Sequence, residues 1–279
     1  MRLFVTGAAG MLGHRVVDQA RELGHEATGS DHDDLDLVDE AAVHQRLAAE
    51  RPDAVINCAA YTDVDGAESA EELATRVNGA AAGNVARAAA AVGAMVVHVS
   101  TDYVFAGDAT RPYVESDDPA PRTAYGRSKL AGEREVQTGG APWAVARTAW
   151  LYGAGGKNFV DTMLALAQTR DEVSVVTDQV GCPTWTGHLA PALIELAERR
   201  AEGVHHLAGA GQCSWNELAI EVFDHAGVDC RVLPTTTAAF PRPAPRPAYS
   251  VLGTERDDAI RLPPWQEGLH AYLAERVPA

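Results

Sequence analysis

The amino-acid sequence predicts an α/β protein, a doubly wound parallel sheet followed by a smaller C-terminal lobe. Three observations predict it. Short β-branched runs alternate with Ala-rich helical stretches through the first half of the chain, the rhythm of parallel strands joined by crossover helices. The run 94–100, AMVVHVS, is a continuous apolar strand, as expected where both faces of a sheet are covered. The first strand runs directly into a glycine-rich turn and a helix, which is how a Rossmann-type unit begins.

Taken in order, 3–6 is the first strand and 11–23 the helix after it, closed by Gly24. A short second strand spans 25–28. A helix over 40–50 stops at Pro52, and 54–57 is the third strand. Helices over 67–78 and 80–92 end at Gly93. The strand 94–100, a helix over 124–137 and a strand over 143–147 complete this half. The second half is less regular. Helices are expected over 159–168, 189–200, 215–226 and 265–276, with short strands at 173–176 and 204–207. His205 and His206 point to opposite faces of the last strand, so they do not pair on a metal. Pro234, Pro241, Pro243, Pro245 and Pro247 mark an extended stretch, expected to be a surface linker.

Composition narrows the function. The chain has 279 residues, 39 acidic and 23 basic, for a net charge of −16. Nucleic acid and anionic membrane are disfavoured as partners, because both need a basic surface. No apolar run reaches the roughly 18 residues of a membrane span, and the N-terminus lacks a signal-peptide layout. Cys58, Cys182, Cys213 and Cys230 form no C-x-x-C pair and no zinc spacing. Free thiols in a reducing, cytoplasmic setting are expected. The basic residues are 21 Arg and two Lys, Lys129 and Lys157. In so Arg-biased a chain, a surviving Lys marks a place where a guanidinium cannot replace a compact ammonium.

The turn after the first strand reads Gly7-Ala8-Ala9-Gly10-Met11-Leu12-Gly13, a G-x-x-G-x-x-G at a strand–helix junction. Glycine lets the backbone approach a pyrophosphate, and the helix N-terminus offers N–H groups and positive potential. Dinucleotide binding follows, and the expected division is a dinucleotide-binding domain over 1–150 and a lobe over 151–279. That lobe is mainly substrate-binding, with some elements returning to the sheet. Asp31 lies 18 residues after Gly13, placed to bind the adenosine ribose hydroxyls. Its neighbours are acidic and include no Arg or Lys, which favours NADH over NADPH. Asp36 and Leu37 follow where a short loop covers the adenine.

Tyr125 and Lys129 form a Y-x-x-x-K on one helical face. The ammonium is expected to lower the phenol pKa and prepare Tyr125 to give a proton to a carbonyl oxygen as hydride reaches its carbon. Lys129 also reaches the nicotinamide ribose. Thr101, at the end of a strand, is expected to hydrogen-bond the same oxygen.

These residues resemble the extended short-chain dehydrogenase/reductase superfamily. Finer motifs resemble one branch of it along nearly the whole chain: Asn57-Cys58-Ala59-Ala60-Tyr61-Thr62-Asp63-Val64-Asp65, Ser100-Thr101-Asp102-Tyr103-Val104-Phe105, Arg147-Thr148-Ala149-Trp150, Asp178-Gln179-Val180-Gly181-Cys182-Pro183-Thr184 and Arg246-Pro247-Ala248-Tyr249-Ser250. That branch is the dTDP-4-dehydrorhamnose reductase family. The resemblance implies hydride reduction of the C4 ketone of dTDP-4-dehydro-L-rhamnose to dTDP-L-rhamnose, with Thr101, Tyr125 and Lys129 catalytic. It puts Gly10, Met11 and Leu12 at the pyrophosphate and Asp31, Asp36 and Leu37 at the adenosine. Ala60, Tyr61 and Thr62 lie along the cofactor, and Thr101, Asp102 and Trp150 face the sugar. Gln179 and Arg246 are weaker candidates near the nucleotide diphosphate. Ala149 stands where the family has Ser. Some members hold Mg²⁺ between carboxylates at a dimer interface; no carboxylates match here, so metal, and monomer or homodimer, stay open. Two other readings remain: a 4-ketoreductase of another nucleotide deoxysugar, and a non-catalytic relative resembling the regulatory subunit of methionine adenosyltransferase.

The ligands this implies are anionic while the chain carries −16. Positive potential must therefore be local, at Gly10–Gly13, Lys129 and Arg246.

Overall fold

A computed structural model of the chain describes residues 1–276; the end of the expected second lobe, 277–279, lies outside them. The elements run β1 (Arg2–Thr6), α1 (Gly13–Glu22), β2 (Glu26–Ser30), α2 (Glu40–Glu50), β3 (Ala54–Asn57), α3 (Val64–Ala67), α4 (Glu71–Thr75), α5 (Ala81–Val92), β4 (Met95–Thr101), α6 (Ala124–Thr138) and β5 (Trp143–Thr148). Then come β6 (Leu151–Tyr152), α7 (Phe159–Ala167), β7 (Glu172–Val176), β8 (Val180–Gly181), β9 (Thr184–Trp185), α8 (Thr186–Arg199), β10 (Gly203–His206), β11 (Cys213–Ser214), α9 (Trp215–Ala226), β12 (Arg231–Thr235) and α10 (Trp265–Arg276).

Among the described residues the main sheet has the order β10-β5-β4-β3-β1-β2, with every pairing parallel. The chain steps from β1 to β2 on one side and to β3 on the other. Their carboxyl ends therefore splay a crevice at the switch point, where this architecture takes ligands. The apolar strands alternate between two cores. Leu3, Val5, Ile56 and Val97 meet α1 and α8, while Phe4, Val55 and Val96 meet α2, α5 and α6. A third core joins α7, α9 and α10 through Val160, Phe223, Leu269 and Tyr272. No helix among the described residues is long and apolar enough to cross a membrane.

Four local expectations are corrected. α1 starts at Gly13 instead of residue 11, because 7–12 are spent in the turn and Leu12 is the N-cap. The helix expected from 189 starts at Thr186, directly from β9, and accommodates Pro191. The helix expected over 67–78 is broken into α3, α4 and a π-helical turn, Arg76–Ala80. That turn buries Asn78, whose side chain holds both backbone groups of Tyr61 (2.8 and 3.1 Å) and reaches Ser128 Oγ (2.9 Å) on α6. Such turns concentrate at functional sites.

The Pro-rich stretch is not a surface linker. Pro234 sits in β12, which among the described residues pairs only with β7, an edge position that tolerates a missing N–H. Beyond it the chain crosses to the first half. Ala244 is buried, and its N–H donates to Asp65 Oδ1 just inside α3 (3.2 Å). Residues 240–247 are thus a strap over the crevice.

Candidate active site

The phosphate loop is shaped by sterics. Gly7 has φ +65°, a left-handed value, and a Cβ there would meet Ala59 backbone at 2.9 Å. A Cβ on Gly13 would lie 2.0 Å from Gly7 O, so only glycine closes this turn. Leu12 supplies no side-chain cap, leaving the α1 N-terminus to an outside anion. Asp31 Oδ2 accepts from Ala9 N (3.1 Å), tying the end of β2 to the loop. Asp36 Oδ1 accepts from Val38 N (2.9 Å), and Asn84 Nδ2 donates to Leu37 O (2.9 Å), fixing the next loop.

From this loop a cavity of about 1330 Å³ runs to the second lobe. Typical small-ligand sites are about 300–1,000 Å³, so this one has room for two nucleotides. Its wall includes Gly7, Gly10, Met11, Leu12, Gly13, Asp31, Asp36, Leu37, Ala60, Thr62, Thr101, Asp102, Tyr125, Lys129, Trp150, Gln179 and Arg246. Tyr61, expected beside them, is not on the wall. Asn78 holds its backbone, and its ring packs behind Tyr125 with Ala67, Ala74 and Ala124.

Thr101 ends β4 and donates from Oγ1 to Asp102 Oδ1 (2.9 Å). Tyr125 lies in the first turn of α6, fixed by the Thr123 cap on Gly126 N (2.9 Å). Tyr103 meets its ring edge-on, with centroids 5.6 Å apart. One turn on, Lys129 is buried and donates from Nζ to Val99 O (2.7 Å). Beneath it lies an almost fully buried cluster. Arg147 donates twice to Glu133 (2.9 and 2.7 Å), Ser100 donates to Glu133 Oε1 (2.6 Å), and Arg147 stacks over Phe105.

The electrostatics reverse one expectation. Burial, with the Asp102 charge added, pushes the Tyr125 phenol up to about 12, against a hydrogen bond from Thr101. Lys129 does not lower it. Burial instead lowers Lys129 to about 8, with Glu133 and Cys58 pulling the other way. Desolvation outweighs charge pairing here because both groups sit in the same dry wall. Burial also raises Asp102 to about 6, against hydrogen bonds from Ser250, Thr101 and backbone, and its Oδ2 lacks a partner. The result is a phenol that keeps its proton at neutral pH, as a proton donor must.

The far wall is aromatic. Trp150 adopts φ +47°, uncommon for a bulky residue, and its ring stacks on Trp215 at 3.5 Å and 5°. Gly181 makes room, since a Cβ there would lie 2.4 Å from the Trp150 ring. Trp215 Nε1 donates to Gln179 Oε1 (3.1 Å), and Gln179 Nε2 donates to Thr237 Oγ1 (2.9 Å). On the strap, Arg246 donates to Asp65 Oδ2 (2.8 Å), and Arg242 pairs with the same oxygen at 3.5 Å. Burial works against it, but these arginines and the Ala244 N–H hold the Asp65 carboxyl below its ordinary value.

Sequence reasoning missed Trp215, Phe240, Arg242 and Lys157, all on the cavity wall. Trp215 had a signal. Ser214-x-x-Glu217 forms a capping box, which put an aromatic in the first turn of a helix. Within the proline run only Arg246 was singled out, through the family resemblance; nothing pointed to Phe240 or Arg242.

A family model described as "RmlD substrate binding domain" matches residues 1–277. A dTDP-4-dehydrorhamnose reductase of Streptomyces griseus is 46% identical, covering 100% of this chain and 93% of that protein. A Streptomyces antibioticus protein described as "Probable dTDP-4,6-dihydroxy-2-methyloxan-3-one 4-ketoreductase" is 47% identical, with 100% and 97% covered. The crystal structure of a Bacillus anthracis dTDP-4-dehydrorhamnose reductase in complex with NADP superimposes with a TM-score of 0.95, at 39% identity, covering 98% and 99% of the two chains.

Proposed function

This chain belongs to the dTDP-4-dehydrorhamnose reductase family, and from that premise we propose that it reduces the C4 ketone of dTDP-4-dehydro-L-rhamnose to dTDP-L-rhamnose. The observation that carries the reading is Tyr125, a half-buried phenol held protonated beside Thr101 at the carboxyl end of β4, in a cavity continuous with the phosphate loop. The residues present fit a nicotinamide dinucleotide. Gly7 and Gly13 permit the tight turn that a Cβ at either would block, and the α1 N-terminus it leads into has no side-chain cap.

The reduced cofactor, when bound, supplies the hydride. Tyr125 gives its phenolic proton to the ketone oxygen. Thr101 turns its hydroxyl from Asp102 to the same oxygen and orients it. Lys129, one helical turn on, hydrogen-bonds the nicotinamide ribose. Trp150 and Asp102 face the sugar, while Gln179 and Arg246 serve the nucleotide diphosphate. Asp31 takes the adenosine ribose, and its acidic surroundings favour NADH over NADPH. The free thiols suit a cytoplasmic setting.

A second reading, a 4-ketoreductase of another dTDP-deoxysugar, is favoured by the 47% likeness to the Streptomyces antibioticus protein. It keeps the same catalytic set and changes only the sugar. The test is turnover of purified protein with several dTDP-4-keto-6-deoxyhexoses and both cofactors. Oxidation of reduced cofactor with dTDP-4-dehydro-L-rhamnose as the best substrate is expected. Turnover of another ketosugar alone would select the second reading, and no turnover with any would defeat both.

A further inference from the structure

Among the described residues four Lys and Arg side chains line the cavity: Lys129, Lys157, Arg242 and Arg246. Three are committed. Lys129 bonds Val99 O, and both arginines bond Asp65. Lys157 is exposed and has no salt-bridge partner among the described residues. Both lysines of a chain with 21 arginines therefore face one cavity, and only Lys129 is used by the chemistry above.

The place of Lys157 is set by its loop. A Cβ on Gly155 (φ +83°) would meet the His14 ring at 2.8 Å, and one on Gly156 would meet Met11 Cβ at 2.9 Å. Residues 155–156 thus press against the phosphate loop and the first turn of α1. Asn158 anchors them, since its Nδ2 donates to Gly153 O (3.0 Å) and Gly156 O (3.2 Å) while its Oδ1 caps α7 at Asp161 N (2.9 Å). The Lys157 backbone is held beside Met11 while its ammonium stays free to turn.

We propose that Lys157 is a cofactor-binding residue, which meets the dinucleotide pyrophosphate from the side of the cavity opposite the α1 N-terminus. The proposal rests on the cofactor reading of the phosphate loop and adds a cation from the second lobe. An anion between Gly10 and Lys157 meets backbone N–H groups on one side and an ammonium with three donors on the other. In a protein of net charge −16, this is local positive potential that a glycine turn alone does not supply. The dTDP diphosphate is served by Arg242 and Arg246 at the strap, and the adenosine end is acidic at Asp31, so the pyrophosphate is the anion nearest Lys157.

The test is equilibrium binding of NADH, NADPH, ADP-ribose, dTDP and adenosine to the wild type and to Lys157→Ala and Lys157→Arg. Charge-assisted contacts of this kind are worth about tenfold in affinity. Lys157→Ala is expected to weaken NADH, NADPH and ADP-ribose by about that common factor, less at high salt. Lys157→Arg should recover most of it, and dTDP and adenosine should bind as before. Unchanged ADP-ribose binding in Lys157→Ala at low salt would overturn the proposal. So would a loss confined to NADPH, which points to a 2′-phosphate, or one confined to dTDP. Wild-type protein that binds no dinucleotide would remove the cofactor reading together with this one, whereas loss of the Lys157 effect alone leaves that reading standing.

Discussion

The two walls of the cavity are built on opposite principles. The wall carrying Thr101, Tyr125 and Lys129 is largely buried, with Tyr125 half-buried where it meets the cavity, and its charges are satisfied from behind by the Glu133–Arg147 pair and the Val99 carbonyl. The strap carrying Arg242 and Arg246 is more exposed, irregular and held to the first half through one carboxylate, Asp65. The difference assigns tasks. A proton donor needs a fixed position and a dry environment, which sheet and helix provide. Recognition of a diphosphate needs cations that can exchange partners, which ion pairs on a partly exposed strap permit better than a fully buried one. The strap arginines can therefore leave Asp65 for a ligand, whereas Arg147 cannot leave Glu133.

The sharpest way to break this contrast is to remove the proton donor. Tyr125→Phe is expected to lower kcat by roughly 10²–10⁴, with fold and cofactor affinity unchanged. Full activity in that variant would strip Tyr125 of its role. Next is the support behind the wall. Glu133→Ala leaves Arg147 buried and unpaired and should cost about 3–5 kcal/mol in denaturant unfolding. A comparable loss from Asp65→Ala would erase the distinction between wall and strap.

Asp102 tests the dryness of the wall through proton linkage. Its folded pKa, about 6, is above the ordinary 3.8. Its favourable contribution is therefore complete below about 3.8 and lost as pH rises through 6. At pH near 8 the buried carboxylate thus costs roughly 2–3 kcal/mol relative to low pH. Asp102→Asn, which keeps an amide oxygen as acceptor for Thr101, should raise stability at pH near 8 and lose that advantage at pH near 4. An advantage independent of pH would contradict the burial argument. The smallest expected effect is at the strap. Arg246→Ala should raise KM for the dTDP-sugar by about tenfold, the scale of one charge-assisted hydrogen bond.

The same contrast decides what could be read in the sequence. Regular elements announce themselves. The glycine spacing placed Gly7, Gly10 and Gly13 in one turn, helical spacing put Tyr125 and Lys129 on one face, and all reach the cavity wall. Of the strap only Arg246 was legible, through the family resemblance; its path was not, because proline fixes an extended backbone without saying where it lies, and Asp65 is 181 residues from Arg246. The reversed Tyr125 pKa has a similar origin. The i, i+4 spacing shows that a charge is near, but the desolvation that outweighs it comes from side chains far apart in the chain. Tyr61 was misplaced because the π-turn that brings Asn78 onto its backbone leaves no periodic trace. Lys157 stood out only by composition, and its position on the Gly155–Gly156 loop supplied the rest.

The division of labour between the walls is tested most directly by kcat and KM measured side by side for Tyr125→Phe and Arg246→Ala, with one dTDP-4-keto sugar and saturating cofactor. The expected result is a split, with Tyr125→Phe losing kcat at near wild-type KM and Arg246→Ala raising KM at near wild-type kcat. Losses of both variants in the same parameter would contradict it.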